Sequence, residues 1–207
     1  QHQREDVKGV AIPAQPEALQ GFLKSLPFQL TPAQHRCVRE IISDLEQGTP
    51  PMNRLLQGEV GSGKTVVALA ALLQVAAAGY QGAIMVPTEV LAEQHFLTVR
   101  RLLEGLADPA QSEFQLSITL DPLPKPITVG LLLGSMTAKQ KREMHGLLSE
   151  GALDVIIGTH AIIQDDVDIP RLGLAVVDEQ QRFGVMQRAA LRRRGYSAHL
   201  LVMSATP

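Results

Sequence analysis

Tryptophan is absent from this sequence of 207 residues, and phenylalanine and tyrosine together make up only 3% of it. An aromatic platform on which nucleic-acid bases stack is therefore not expected. The single cysteine, Cys37, excludes an intrachain disulfide framework. No stretch approaches the roughly 18 consecutive apolar residues of a membrane helix, and the polar N-terminus lacks the apolar centre of a signal peptide. These absences predict a cytoplasmic protein without a membrane partner.

An excess of charge of either sign is also missing, since the formal net charge is -2 at pH 7. Such a balance does not indicate a polyanionic partner. The local basic run formed by Arg188 and residues 192–194 is best explained as the solvated C-terminal end of a helix, where cations are favourable. If the chain contacts a nucleic acid, the phosphate backbone must therefore supply most of the contacts.

Short apolar runs alternate with helical patterns along most of the chain. Thr31 and Pro32 mark a helix start, because a hydroxyl cap is followed by proline at the first helical position. The alternation predicts an α/β fold with a mostly parallel sheet and helices on both faces. Strands are predicted at 54–56, 83–86, 129–133, 155–157, 174–177 and 200–203, and helices at 64–79, 88–106, 137–150 and 185–194.

Two stretches have no clear periodicity. Residues 1–26, interrupted by Pro13, Pro16 and Gly21, are predicted to be an N-terminal linker or docking arm. The proline-rich stretch 107–127 is predicted to be a surface loop. A single ATP-binding domain is therefore expected over residues 27–207.

A glycine-rich sequence, GEVGSGKT at 58–65, matches the phosphate-binding pattern G-x-x-x-x-G-K-[ST]. It lies between a predicted strand and a predicted helix, where backbone N–H groups can point at phosphate oxygens and the helix N-terminus favours negative charge. Lys64 is predicted to reach the β- and γ-phosphates of ATP, and Thr65 to place its hydroxyl on Mg²⁺. The predicted nucleotide-binding residues of this loop are Gly58, Glu59, Gly61, Ser62, Gly63, Lys64 and Thr65.

Two carboxylates, Asp178 and Glu179, directly follow the apolar run 174–177. A buried strand that ends in two acids places both at the carboxyl edge of the sheet, where α/β proteins bind ligands. Asp178 is predicted to hold Mg²⁺, directly or through water, and Glu179 to orient or deprotonate an attacking water. A glutamate used in this way indicates hydrolysis rather than transfer to a substrate hydroxyl.

With these two sites in place, residues 27–207 resemble the first RecA-like motor domain of superfamily 2 helicases, and among them the RecG family of branched-DNA helicases. The sequence LPFQLTPAQ at 26–34 resembles the segment of the family that reads the adenine edge. The resemblance assigns Gln34 to this task, and an amide suits it because it can donate and accept hydrogen bonds at once. It also implies that Phe28 is a nucleotide-binding residue.

Further segments resemble the family's DNA-tracking and coupling motifs. The residues implied to contact DNA are Pro87, Thr88, Gly134, Ser135, Thr159 and His160. The residues implied to couple the state of ATP to the grip on DNA are Gln181, Arg182, Ser204, Ala205 and Thr206. Gln181 stands where the family pattern has histidine, which weakens any polar-relay role of that side chain and leaves the metal and water roles unchanged.

The resemblance also implies partners outside this chain. A second motor domain with catalytic arginines is expected to follow it, and a DNA-wedge domain to precede it. An arginine supplied to the transferring phosphate accelerates comparable hydrolases by about 10³- to 10⁵-fold, so the chain alone is expected to hydrolyse ATP very slowly. The expected partner is branched or single-stranded DNA, in repair and recombination.

Three other functions remain open at this point. A transcription-repair coupling translocase shares the layout, although the sequence Asp-Glu-Gln at 178–180 favours the RecG family. A small-molecule kinase or other metabolic ATPase shares the phosphate-binding loop, but the segments at 87–88 and 204–206 argue against it. A nucleotide-binding module without turnover is disfavoured by the presence of both Lys64 and Glu179.

Overall fold

Seven β-strands form one sheet at the centre of the fold. The structure is a computed structural model, and it describes residues 8–58, 63–109, 112–164, 167–179 and 183–205. In chain order the strands are β1 (Asn53–Gly58), β2 (Gln81–Val86), β3 (Gln115–Ile118), β4 (Ile127–Leu132), β5 (Val155–Thr159), β6 (Leu172–Glu179) and β7 (His199–Ala205). Their order across the sheet is β1-β7-β6-β2-β5-β4-β3. Among these strands, β3 runs antiparallel to its neighbour β4, and all other pairs are parallel.

Helices cover both faces of this sheet, as predicted. They are α1 (Pro16–Ser25), α2 (Pro32–Gln47), α3 (Lys64–Ala77), α4 (Glu89–Leu102), α5 (Ala138–Ser149), α6 (Ala161–Gln164) and α7 (Phe183–Arg193). The crossovers through α3 and α4 move along the sheet toward β3, whereas those through α5, α6 and α7 move back toward β1. Because crossovers between parallel strands are right-handed, α3 lies on the face opposite α5, α6 and α7. Helix α4, which leads to the antiparallel strand β3, packs beside α3.

Helix α3 is buried along almost its whole length, from Val66 to Ala76. Its residues are almost all apolar, as is typical of a helix that is surrounded by protein. Helices α1, α2 and α4 and strands β1, β2, β4 and β6 all pack against it. The first residues of α3, Lys64 and Thr65, are therefore held in a fixed position relative to the sheet. No helix in the described residues is both long and apolar enough to cross a bilayer.

Helix α2 begins where the sequence predicts it. The Thr31 hydroxyl accepts a hydrogen bond from the Gln34 N–H (3.2 Å), and the Gln34 side chain accepts one from the Thr31 N–H (2.8 Å). Pro32 occupies the first turn, where its missing N–H costs nothing. Val38, Ile41 and Leu45 form the buried face of α2.

Residues 8–25 pack on the core of the domain, and part of this segment is helical. Ile12 and Phe22 are fully buried, and the Gln74 side chain on α3 donates a hydrogen bond to the Pro13 carbonyl (2.8 Å). Pro16 does not interrupt a helix but begins one, because it lies in the first turn of α1. The packing favours a docked arm over a free linker, and the boundary at residues 26 and 27 stays a prediction.

The surface loop predicted at 107–127 is wrong in its centre. Residues Gln115–Ile118 form the edge strand β3, which pairs with β4. Leu116 and Ile118 alternate with more exposed neighbours and are fully buried. These two buried side chains and the pairing with β4 hold the strand at the edge of the sheet, although the sequence around it is rich in proline.

His199, the first residue of β7, is fully buried and bridges three segments. Its ring Nδ1 accepts a hydrogen bond from the Met52 N–H (2.8 Å), so the Nε2–H donates to the Val10 carbonyl (2.6 Å). Burial lowers the pKa of His199, and the hydrogen bond to Val10 and the Asp44 carboxylate oppose this shift. The folded chain therefore requires the neutral ring.

We expect the free energy of unfolding to fall as the pH drops below about 6.5, the ordinary pKa of histidine. In that range the unfolded chain takes up a proton on His199 while the folded chain does not, which gives a slope of at most about 1.4 kcal/mol per pH unit. Urea unfolding of wild type and His199→Gln at several pH values measures the effect, since glutamine can donate and accept without titrating. Equal slopes in the two proteins would contradict it, and His35→Gln, at an exposed position on α2, is the matched control.

Candidate nucleotide-binding site

The residues predicted to act on the nucleotide follow or end three neighbouring strands. Strand β7 lies between β1 and β6, with Gly58 paired to Ala205 and Glu179 paired to Ser204. Because the three strands are parallel, their carboxyl ends meet at one edge of the sheet. The phosphate-binding loop, the acidic pair and the predicted coupling segment therefore share this edge, as is typical of ligand sites in α/β proteins.

Lys64 connects two of these strand ends. Its ammonium group donates hydrogen bonds to the carbonyls of Gly58 on β1 (2.7 Å) and Ser204 on β7 (2.9 Å). Gly63 precedes it with φ at +84°, a left-handed conformation that favours glycine. Thr65 is half-buried in the first turn of α3, where the N-terminal N–H groups favour an anion. Three residues of the predicted loop, Glu59, Gly61 and Ser62, lie outside the described residues.

Gln34 lies against this loop. Its side-chain amide N–H donates to the Gly63 carbonyl (3.4 Å), and a Cβ atom on residue 63 would come within 2.1 Å of that nitrogen. The same side chain caps α2 through Thr31. Phe28, which is also predicted to bind the nucleotide, is 44% exposed. The Gln34 side chain thus connects the first turn of α2 to the residue that precedes α3. Its role in reading adenine stays a prediction.

Asp178 is paired with a residue that the sequence analysis does not assign to the site. His95 on α4 donates its ring Nε2–H to Asp178 Oδ2 at 2.7 Å. His95 follows Ala92 and precedes Phe96 and Val99 on the buried face of α4, so a polar side chain interrupts an otherwise apolar face. This polar residue on an apolar helix face is a sequence signal by which His95 could have been identified. The side chain of Glu179 lies outside the described part of the chain, although its backbone ends β6.

The donor set at this edge fits Mg²⁺. Thr65 offers a hydroxyl and Asp178 a carboxylate, and such oxygen ligands are the ones that Mg²⁺ prefers. Within the described ranges, no group of three or more His, Cys, Asp or Glu side chains could hold a metal ion. Mg²⁺ usually binds through one or two protein oxygens together with nucleotide phosphates.

The residues predicted to contact DNA follow the next strands along the same edge. Val86 on β2 pairs with Thr159 on β5, and Leu132 on β4 pairs with Gly158, so the three loops that carry these residues are neighbours. Pro87 and Thr88 follow β2, Gly134 and Ser135 follow β4, and Thr159 and His160 end or follow β5. Burial lowers the pKa of His160, which favours its neutral ring.

Glu89 joins two of these loops and is a second residue that the sequence analysis misses. Its carboxylate accepts a hydrogen bond from the Ser135 N–H (3.1 Å). A Cβ atom at Gly134 would come within 2.7 Å of the same oxygen, so glycine permits this close approach. Thr88 caps α4 by accepting from the Leu91 N–H (3.3 Å). The first turn of α4 is thereby fixed to the loop that follows β4.

The residues predicted to couple ATP to DNA are only partly described. Ser204 and Ala205 end β7, and the Ser204 carbonyl accepts the hydrogen bond from Lys64. Gln181, Arg182 and Thr206 lie outside the described residues.

Three of the four arginines in the basic run near the C-terminus lie at a helix end, as predicted, whereas Arg188 lies in the middle of α7 and is half-buried. Arg192 and Arg193 lie in the last turn of α7 and are exposed. Arg194 donates hydrogen bonds to the carbonyls of Val167 (2.6 Å) and Ile163 (3.4 Å). Arg194 therefore ties this helix end to the segment around α6.

Known proteins are similar to this chain over most of its length. The DEAD/DEAH box helicase family matches residues 31–207. The chain is 49% identical over 189 residues to the ATP-dependent DNA helicase RecG of Mycobacterium tuberculosis, covering 90% of this chain and 24% of that protein. It is 45% identical over 205 residues to RecG of Bacillus subtilis, covering 99% of this chain and 27% of that protein. The chain thus spans about a quarter of the length of these relatives.

A solved structure of RecG bound to a three-way DNA junction has the same fold. It superimposes with a TM-score of 0.79 at 41% sequence identity, covering 99% of this chain and 25% of that chain. The match confirms the predicted fold class, a RecA-like domain with a mostly parallel sheet, and it confirms the resemblance to RecG.

Proposed function

Since this chain belongs to the DEAD/DEAH box helicase family, we propose that it is the ATP-binding motor domain of a DNA helicase or translocase that acts on branched DNA. Its similarity to RecG proteins favours this function over a transcription-repair coupling translocase, and the family disfavours a small-molecule kinase. The proposal includes a role at replication forks or recombination intermediates in DNA repair and recombination. It also includes a cytoplasmic location, which the single cysteine fits.

The observation that carries the proposal is the position of Lys64 between the ends of β1 and β7, one strand away from Asp178 and Glu179. Neighbouring strands lie about 5 Å apart, so one triphosphate can reach both the ammonium group and the acidic pair. A cation, a helix N-terminus and two carboxylates at one sheet edge suit the hydrolysis of a nucleoside triphosphate.

Each residue of the site has a separate task in the proposed reaction. Lys64 binds the β- and γ-phosphates, together with N–H groups at the start of α3. Thr65 and Asp178 would hold Mg²⁺, which when bound neutralises charge on the phosphate oxygens. Glu179 orients the water that attacks the γ-phosphate and accepts its proton, so that ATP and water give ADP and phosphate. Gln34 and Phe28 complete the site at the adenine.

Coupling to DNA has support in the contact between Lys64 and Ser204. The ammonium group that is proposed to bind the phosphates also holds the carbonyl of the segment 204–206, so a change at the phosphates alters a contact of that segment. Gln181 and Arg182, which follow the acidic pair, are proposed to take part in the same coupling. The second motor domain of the longer protein would complete the ATP site, and its wedge domain would meet the branch point.

DNA is proposed to lie along the loops that follow β2, β4 and β5. Thr88 and Ser135 are exposed there and can offer hydroxyl groups to phosphates. Pro87, Gly134, Thr159 and His160 belong to the same edge. Phosphate contacts of this kind carry no sequence information, which fits a protein that moves along DNA.

We expect ATP turnover by a protein that carries this chain together with its second motor domain to rise about 5-fold or more with a three-way junction, in the ordinary range of coupling between two sites. A linear duplex of equal length should stimulate less. Phosphate release at saturating ATP, measured with junction, duplex and no DNA over a range of salt, tests this. A rate that does not respond to DNA would point to a metabolic ATPase, and equal stimulation by the duplex would refute the preference for branches.

A further inference from the structure

The contact between His95 and Asp178 has no part in the reaction described above. The two residues are 83 positions apart in the sequence, and only the fold brings the ring Nε2–H to the carboxylate at 2.7 Å. The imidazole side chain is 12% exposed and that of Asp178 is 29% exposed, so the ring shields one side of the carboxylate from water. A hydrogen bond that is sheltered in this way restricts the orientation of the carboxylate more than one in open solvent.

Helix α4 fixes the histidine itself. Ala92, Phe96 and Val99 bury the face on which His95 lies, and α4 packs against β2, β4 and β5. Its first turn is held by Glu89, which accepts from the Ser135 N–H. Because the helix is anchored at its start and along its face, the backbone at His95 keeps its position if the Asp178 side chain turns away.

We propose that His95 is a positioning residue, which holds Oδ2 of Asp178 and so leaves Oδ1 in a fixed orientation for Mg²⁺ with ATP. This inference rests on the proposed function. A carboxylate that is free to rotate must be ordered each time the metal binds, whereas one held by an outer partner is already oriented. Loss of such a partner typically lowers metal affinity by about 10- to 100-fold.

The test compares two amides at position 95 in this chain. A glutamine N–H lies about where the ring Nε2–H does, whereas an asparagine N–H lies nearer the position of Nδ1 and falls short of Asp178. The affinity for a non-hydrolysable ATP analogue is measured by titration calorimetry, first in EDTA and then over a range of Mg²⁺ concentrations. We expect His95→Asn to raise the half-saturating Mg²⁺ concentration by about 10- to 100-fold, and His95→Gln to restore most of the wild-type value.

Controls separate positioning from a general loss of structure. The affinity for the ATP analogue in EDTA should stay at the wild-type value in both variants. The midpoint temperature of thermal unfolding without nucleotide should be the same in the two variants. His145→Asn, on α5, should behave as wild type. If His95→Asn does not fold, His95→Ala takes its place as a variant without the N–H.

Several outcomes would overturn the inference. These are wild-type Mg²⁺ dependence in His95→Asn, equal losses in the asparagine and glutamine variants, and a loss in EDTA as large as that in Mg²⁺. A wild-type chain that binds no ATP analogue overturns the proposed function, and the inference with it. Normal wild-type binding with unresponsive variants overturns the inference alone.

Discussion

Replacing Lys64 with alanine is expected to weaken ATP binding by about 10- to 100-fold and to reduce turnover by about 10²- to 10³-fold or more. The first figure follows from about 1.5–3 kcal/mol for a hydrogen bond to a charged group, at about 1.4 kcal/mol per tenfold change. The second follows from the cost of removing one positioned donor that faces charge developing in the transition state. Turnover should fall more than binding, because that charge grows as the γ-phosphate leaves.

The same substitution removes two hydrogen bonds within the protein. The carbonyls of Gly58 and Ser204 lose their charged donor, so some loss of stability is expected. Lys64 is half-buried, and water can replace part of what is lost. Thermal unfolding therefore has to accompany the binding measurement, so that unfolded protein is not counted as protein with low affinity.

Titration calorimetry with an ATP analogue measures the binding, and phosphate release by the longer protein measures the turnover. Lys24→Ala, at an exposed position in the last turn of α1, is the matched control. It removes one lysine that is distant in sequence from the phosphate-binding loop at 58–65. Unchanged ATP affinity in a folded Lys64→Ala chain would show that residues 58–65 do not hold the phosphates.

The central strands could be predicted because their residues have apolar surroundings on both faces of the sheet. Residues 83–86, 155–157 and 174–177 are unbroken apolar runs, and each is buried on both faces of the sheet. Their length excludes a helix, and the helical patterns between them require parallel strands. Local sequence therefore contains most of what determines the centre of the fold.

Helix α1 and strand β3 could not be predicted in the same way. Pro16 and Gly21 are unfavourable in the interior of a helix, but Pro16 lies in its first turn and burial of Phe22 outweighs the cost of Gly21. In β3, Leu116 and Ile118 form only one repeat of alternation, too short to be told from chance. Tertiary contacts decide both elements.

The candidate site likewise has parts that local sequence predicts and parts that depend on tertiary contacts. The phosphate-binding loop and the acidic pair are short local patterns, so the sequence predicts their positions at strand ends. The contacts of His95 with Asp178 and of Glu89 with Ser135 join segments that are 83 and 46 positions apart. No local pattern encodes such a distance, and both contacts depend on the order in which the strands enter the sheet.

The Glu179→Gln variant is expected to bind ATP within a few-fold of wild type and to hydrolyse it about 10²- to 10⁴-fold more slowly, the usual contribution of a general base. Glu179 ends β6 beside Asp178, and its backbone pairs with Ser204, whose carbonyl accepts from Lys64. Its position is thus one strand from the ammonium group proposed to bind the γ-phosphate. Glutamine keeps the size of the side chain, but its amide cannot accept a proton from the attacking water.

The variant should therefore retain ATP in its intact form. After mixing with labelled ATP and Mg²⁺, the longer protein is separated from free nucleotide, and the ratio of ATP to ADP on the protein is measured over time. Wild type should carry mainly ADP, and Glu179→Gln mainly ATP. Glu143→Gln, at an exposed position on α5, is the matched control and should resemble wild type. Hydrolysis by Glu179→Gln within a few-fold of wild type would exclude Glu179 as the base and leave the orientation of the water to another group.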